Sequence, residues 1–175
     1  MLYKPQASTI FLYLIFLLFF ISGCDQGKQP ETIATLQPIT LGDECFICGM
    51  NIKQFPGPKG QVLLRHGSKP LKFCSTNELF TWLLQPDTSG VLHSAYVHDM
   101  AKALSWDTPN DDHYIEVKKA WYVIGHNKKG AMGASLASFA RKEDAEKFQQ
   151  QSGGQLMRYD DIKMSTLSNL NKKGN

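Results

Sequence analysis

Hydrophobic residues follow two rhythms along this chain. Short apolar runs at Gln61–His66, "QVLLRH", and Pro70–Phe73, bounded by Gly67 and Pro70, predict two strands joined by a turn. From Thr76 to Gln85, "TNELFTWLLQ", the spacing becomes helical. Leu79, Phe80, Leu83 and Leu84 form the stripe, Ser75 or Thr76 caps the start, and Pro86 ends it. Val91–Met100, "VLHSAYVHDM", reads as another strand. The order then recurs: a strand at Trp121–Gly125, a helix at Lys142–Gln150 stopped by Gly153-Gly154, and a strand at Gln155–Tyr159.

That recurrence has a fixed offset. Shifting the sequence by 66 residues places His66-Gly67 on Met132-Gly133, Phe73 on Phe139, Leu79 on Ala145 and Trp82 on Phe148. The expected architecture is α+β: two small lobes, each a copy of a ββαβ unit, at residues 41–107 and 108–164. The last eleven residues, 165–175, lack apolar periodicity and are expected to be a disordered tail.

The N-terminus reads differently. Lys4 precedes an apolar run from Ile10 to Ile21, too short to span a bilayer comfortably and followed by Ser22-Gly23-Cys24. Residues 1–23 are therefore expected to be a signal peptide. "ISGC" resembles a bacterial lipobox, in which Cys24 becomes the lipidated N-terminus. Residues 24–40, polar and with two prolines, then read as a flexible tether with a reach of roughly 20–25 Å. This places the domain at the periplasmic face of a bacterial membrane, held by acyl chains, with inner and outer membrane both open.

The full chain carries a formal charge of +3, and removing residues 1–23 takes away one lysine and leaves +2. Such balance argues against nucleic acid as a partner. G-x-G-x-x-G, G-x-x-x-x-G-K-[ST] and G-x-S-x-G are all missing, so nucleotide binding and serine hydrolysis lose their usual signatures. No catalytic constellation emerges, and a non-enzyme is expected.

The chemistry concentrates in "DECFICGMNI", residues 43–52, where Cys45, Cys48 and Met50 form C-x-x-C-G-M. A redox pair needs its C-x-x-C at a helix start, yet Gly49, Pro56, Gly57, Pro58 and Gly60 forbid a long helix after Cys48. A structural zinc site wants four nitrogen or sulfur ligands; only Cys74 and a histidine are at hand to complete one. Thiolate and thioether together suit Cu(I), a soft ion. Met132 lies in "KKGAMGAS" among small residues, away from any apolar stripe, and qualifies as a further thioether donor.

"CFICGM", "AYVHDMA", "AWYVIG", "GAMGASLASFARKEDAEKF" and "GGQLMRYDDI" together make this chain resemble the NosL family of membrane-anchored copper lipoproteins. The front half is also similar to YHS and TRASH metal-binding modules, which carry C-x-x-C-G-M and then F-C-S at a helix start, here Phe73-Cys74-Ser75. Those modules have another cysteine three residues on, where this chain has Asn77.

The NosL resemblance implies a duplicated ββαβ fold, Cu(I) binding and delivery of copper to nitrous oxide reductase with a NosDFY-like transporter complex. Carried over to this sequence, it makes Cys48, Met50 and Met132 the core metal ligands. Cys45 is a fourth donor or a supporting thiol. The metal site is expected between or beside the lobes. His98 and Asp99 are candidates for a second, harder site holding an ion such as Zn(II). Cys74 and, through the repeat, His66 are weaker candidates, and the acidic 106–114 loop reads as a solvated turn. The rival readings are a periplasmic thiol-disulfide oxidoreductase using Cys45 and Cys48, and a zinc-stabilised interaction module.

Overall fold

In the first unit β1 (Gly60–Leu64) turns back into β2 (Leu71–Phe73), α1 (Thr76–Leu83) crosses over, and β3 (Leu92–His98) returns beside β1. The computed structural model describes residues 33–173, which belong to one compact unit. β4 (Tyr114–Glu116) adds to β3, giving an antiparallel sheet in the order β2-β1-β3-β4. The second unit begins with β5 (Trp121–Ile124). A small hairpin follows, β6 (Lys129–Gly130) and β7 (Gly133–Ala134), and then β8 (Ala137–Phe139), α2 (Lys142–Ser152) and β9 (Gln155–Arg158). Its sheet runs β8-β5-β9, so each unit places its first strand between the other two.

The registers are those of a duplication. Gly60 pairs with Phe73 and Val97; Trp121 pairs with Phe139 and Arg158. Phe139 stands 66 positions after Phe73, and the two helices start at Thr76 and Lys142, the offset read from the sequence. Trp121 stands only 61 after Gly60, because the β5–β8 connection is longer and carries the β6–β7 hairpin. His66 and Met132 both fall in the connection between the first two strands of their units.

Alternation along the first sheet separates two faces. Val62, Phe73, Ala95 and Val97 are buried and join Leu79 and Phe80 of α1 in the main core. α1 can approach this closely because residue 60 is glycine: a Cβ there would lie 2.6 Å from Leu79 Cδ2. Ser75 caps α1 by accepting from Glu78 N–H at 3.2 Å. The core continues across both units, with Phe80 packed edge-on against Tyr122 at 5.1 Å between ring centroids. Thr76 joins the units by polar contacts, its hydroxyl donating to Leu136 O at 2.6 Å and accepting from Leu136 N–H at 3.1 Å.

The opposite face is buried too, but it is polar. Gln61 donates to Gln37 O at 2.7 Å and Tyr114 Oη at 2.8 Å, and accepts from Gln37 N–H at 3.1 Å. Lys72 Nζ donates to Pro38 O at 2.9 Å and to Asp43 at 2.7 Å. These bonds fasten residues 33–43 across the sheet as a strap. The expectation of a free tether as far as residue 40 is corrected for 33–40: Ala34 and Ile39 are buried, and Ile33 bridges to Gly67. Each buried polar group needs a partner, and the strap supplies them.

The C-terminal segment also differs from expectation. Residues 164–173 form α3 (Met164–Lys173), with Leu167 and Leu170 buried in the main core. Two leucines three apart suffice, since burying each contributes about 1.5–3 kcal/mol. The signal-peptide segment 1–23, Cys24 and the tether as far as residue 32 lie outside the described residues. Among the described residues, no helix is long and apolar enough to cross a membrane.

Candidate metal centre

The C-x-x-C-G-M segment folds as a tight loop. Cys45 N–H donates to Met50 O at 2.9 Å, and Gly49 N–H donates to Cys45 O at 2.8 Å. Gly49 closes the loop with φ +70°, a conformation that favours glycine. Phe46 N–H donates to Lys72 O at 2.9 Å, pinning the loop to β2 two residues before Cys74. Cys74 itself directly follows β2, just ahead of Ser75, the cap of α1.

Three thiols converge as a result. The Sγ atoms of Cys45, Cys48 and Cys74 all lie within 4.8 Å of one another, and Cys48 Sγ is 3.6 Å from Cys74 Sγ. All three are free; Cys45 and Cys74 are buried and Cys48 is partly exposed. A hydrogen bond from the Cys74 thiol, joined by backbone N–H groups, brings Cys45 down to about 5 despite its burial. Donating that bond, together with burial, pushes Cys74 up, and burial raises Cys48. One thiolate and two thiols therefore share the cluster at neutral pH. Glu78, buried one turn into α1, has its carboxyl pushed up by burial and by the charge at Cys45.

This donor set suits a soft ion with few ligands. Among the described residues, no histidine or carboxylate joins the three thiols within ligand distance, and a tetrahedral zinc site needs a fourth such donor. Asn77, where a fourth cysteine would complete a TRASH-like set, is buried in α1. Met50 follows Gly49 and is partly buried. Met132 is 51% exposed in the turn of the β6–β7 hairpin. That hairpin lies against the cluster's helix: a Cβ at Gly130 would come within 3.7 Å of Ser75 Cβ, and Ala131 and Ala134 pack on the core containing Cys74.

His98 and Asp99 stand elsewhere, each with its own partners. His98 is buried at the end of β3; its Nδ1 accepts from Lys59 N–H at 3.1 Å, leaving Nε2 to donate to Asp111 Oδ1 at 3.0 Å. Burial lowers its pKa, so it is a neutral histidine. Asp99 Oδ1 accepts from Ala101 N–H at 3.1 Å and Ala140 N–H at 3.3 Å. Cys74, a weak candidate by sequence, sits inside the thiol cluster. Asp111, read as part of a solvated turn, instead accepts from His98, Tyr114 and Ile39 N–H. Only the strap and β4 make that role visible.

Comparison with known proteins gives the same direction. Residues 36–167 match the family model described as NosL. A copper-binding lipoprotein NosL from Stutzerimonas stutzeri is 43% identical over 168 residues, covering 95% of this chain and 85% of the relative. One of the same name from Achromobacter cycloclastes is 32% identical over 148 residues, covering 83% and 75%. The crystal structure of the copper chaperone NosL from Shewanella denitrificans superposes with a TM-score of 0.72 at 42% identity, covering 78% of this chain and 99% of that one. By the family match and by these relatives alike, the chain belongs to the NosL family.

Proposed function

We propose that this protein is a metallochaperone that binds Cu(I) as cargo at the Cys45–Cys48–Cys74 cluster. In this reading it is lipidated at Cys24, works at the periplasmic face of the membrane, and hands copper on for maturation of nitrous oxide reductase, with a NosDFY-like transporter complex as partner. The observation that carries it is the convergence of three free thiols within 4.8 Å in a chain whose relatives are named for copper.

The buried thiols form the cradle. Met50 and Met132 are the thioether donors, and thioethers need no deprotonation and cannot close into a disulfide. Met132 rides on a hairpin from the second unit, so a partner that moves the hairpin removes a donor and weakens the site at handover. His98 and Asp99 belong to a separate polar centre, where a second, harder ion such as Zn(II) would have to displace the bonds to Lys59, Asp111 and Ala140.

The rival redox reading has a specific difficulty: Cys45, the thiol held as thiolate, is buried, whereas dithiol exchange needs an accessible nucleophile. The test is competition between reduced protein and a Cu(I) chelator, run beside an insulin-reduction assay. The reading expects about one Cu(I) per chain, no dithiol turnover, and an affinity loss on the order of 10²-fold in Met132→Ile with the fold retained. Insulin reduction without tight Cu(I) uptake would overturn it.

A further inference from the structure

The first sheet has two ends with different chemistry. One end, the turn end, holds the connections 65–70, between β1 and β2, and 84–91, between α1 and β3. The other holds Cys74, directly after β2, the C-x-x-C-G-M loop pinned beside it, and the loop 99–113 between β3 and β4. The strap runs from the first to the second. Ile33 bridges to Gly67, Gln37 bonds to Gln61 further along β1, and Phe46 N–H reaches Lys72 O beside the thiols. Phe73 stands level with Gly60, five positions from Arg65, and Cys74 is one step beyond. At about 3.3 Å per residue, roughly 20 Å of sheet separates Cys74 from the 65–70 turn.

The strap also fixes where the N-terminal link enters. From Cys24 to Ile33 there are nine peptide steps, at most about 30 Å when fully extended, and they join the domain at the turn end. That end carries exposed apolar groups among cations. Ile33 and Val91 are 43% and 48% exposed, and Arg65 N–H donates to Val91 O at 2.9 Å, which draws Val91 to the same turn. Arg65 and Lys69 are exposed beside them. The connections 65–70 and 84–91 set these two cations against one acid, Asp87. At the other end the loop 99–113 sets Asp99, Asp107, Asp111 and Asp112 against Lys102, while 43–59 is balanced, Asp43 and Glu44 against Lys53 and Lys59. An anionic leaflet attracts the first end and repels the second. Asp25, Lys28 and Glu31 belong to the link, which is tied to the anchor in either orientation, so they do not discriminate.

We propose that the turn end is a lipid-facing surface: in the anchored protein it rests on anionic phospholipid headgroups, and the sheet and strap hold the thiol cluster about 20 Å above it, away from the bilayer. This rests on the lipidation of Cys24 in the reading above. Phe46 and Ile47, which flank Cys48 and are 55% and 42% exposed, then face the compartment, as does Leu104 of the acidic loop. The reverse orientation presses these groups and the partly exposed Cys48 onto the headgroups, and lays the acidic loop against a negative surface. With the turn end down, the cluster stays open to a protein approaching from the compartment.

The test uses the full-length protein extracted from membranes, reduced and metal-free, in nanodiscs of phosphatidylcholine and phosphatidylglycerol with a nitroxide on some headgroups. Broadening of each backbone amide signal reports its nearness to the headgroups. Amides of Ile33, 65–69 and Val91 should broaden several-fold more than those of 45–50 and 101–108. Val91→Asp combined with Lys69→Glu should abolish this difference while the protein stays anchored and binds Cu(I) as wild type does. Leu104→Asp, the same kind of change at the other end, should leave the wild-type pattern. Equal or stronger broadening at 45–50 overturns the proposal. So does a difference that survives in the double variant or vanishes in Leu104→Asp. If the double variant does not fold, the wild-type pattern decides alone. A wild type with unmodified Cys24 that stays off the membrane overturns the anchored reading itself, a different result from an anchored protein lying the other way up.

Discussion

Cys48 Sγ and Cys74 Sγ lie 3.6 Å apart although 26 positions separate them in the chain. The bond from Phe46 N–H to Lys72 O enforces this, since it fixes the C-x-x-C-G-M loop to the strand that Cys74 directly follows. The C-x-x-C pair is therefore not the only thiol pair within reach of a bridge. Limited diamide oxidation, which takes two electrons and two protons from a thiol pair, should join Cys48 to Cys74 first. Peptide mapping by mass spectrometry reads this directly, and Cu(I) loading should suppress it. A dominant Cys45–Cys48 bridge would mean the loop is not held as described.

Thr76 and Leu136 predict a stability effect without a copper effect. Thr76→Val keeps the shape but leaves the N–H and C=O of Leu136 without their buried partner. The expected cost is about 2–3 kcal/mol in urea unfolding, with Cu(I) stoichiometry intact. A change below about 0.5 kcal/mol would show that this contact does not join the units.

α3 gives a second stability prediction. Leu170→Ala removes a side chain buried in the main core and should cost about 2–4 kcal/mol. The same substitution in a frayed tail would cost almost nothing. A melting curve separates the two.

His126 governs part of the acid response. It packs against Trp106 and Phe148, each 5.1 Å away, and its Nδ1 accepts from Lys128 N–H at 3.1 Å. Burial pushes it down to about 4 from an ordinary 6.5. The unfolded chain therefore takes up this proton first as pH falls. Its contribution to stability is complete above about 6.5 and drains away as pH falls toward about 4, by up to about 3 kcal/mol. His126→Gln should be less stable at neutral pH and lose less on acidification. An unchanged difference between wild type and variant across that range would contradict this.

The periodic elements were legible because their signals are local. Ser75, the Leu79/Phe80/Leu83 stripe and Pro86 define α1 without help from distant residues, and the 66-residue offset locates β8 and α2 from β2 and α1. What the local pattern does not carry depends on contacts far apart in the chain. The strap at 33–40 reads as a tether until Gln61 and Lys72, both polar residues in strands, are seen to need partners. α3 has only Leu167 and Leu170 to recommend it, and both need a core built elsewhere. The same holds for the site. C-x-x-C-G-M announces sulfur chemistry, yet only the Phe46–Lys72 bond brings Cys74 to the loop's two thiols.

Copper K-edge absorption tests most directly whether sulfur alone makes the proposed copper site. Reduced protein loaded with one equivalent of Cu(I) should show a first shell of sulfur scatterers only. Cys74→Ser should lower the sulfur count, and His98→Gln should leave the spectrum unchanged. A wild-type first shell containing histidine nitrogen, or a spectrum indifferent to Cys74→Ser, would contradict the account.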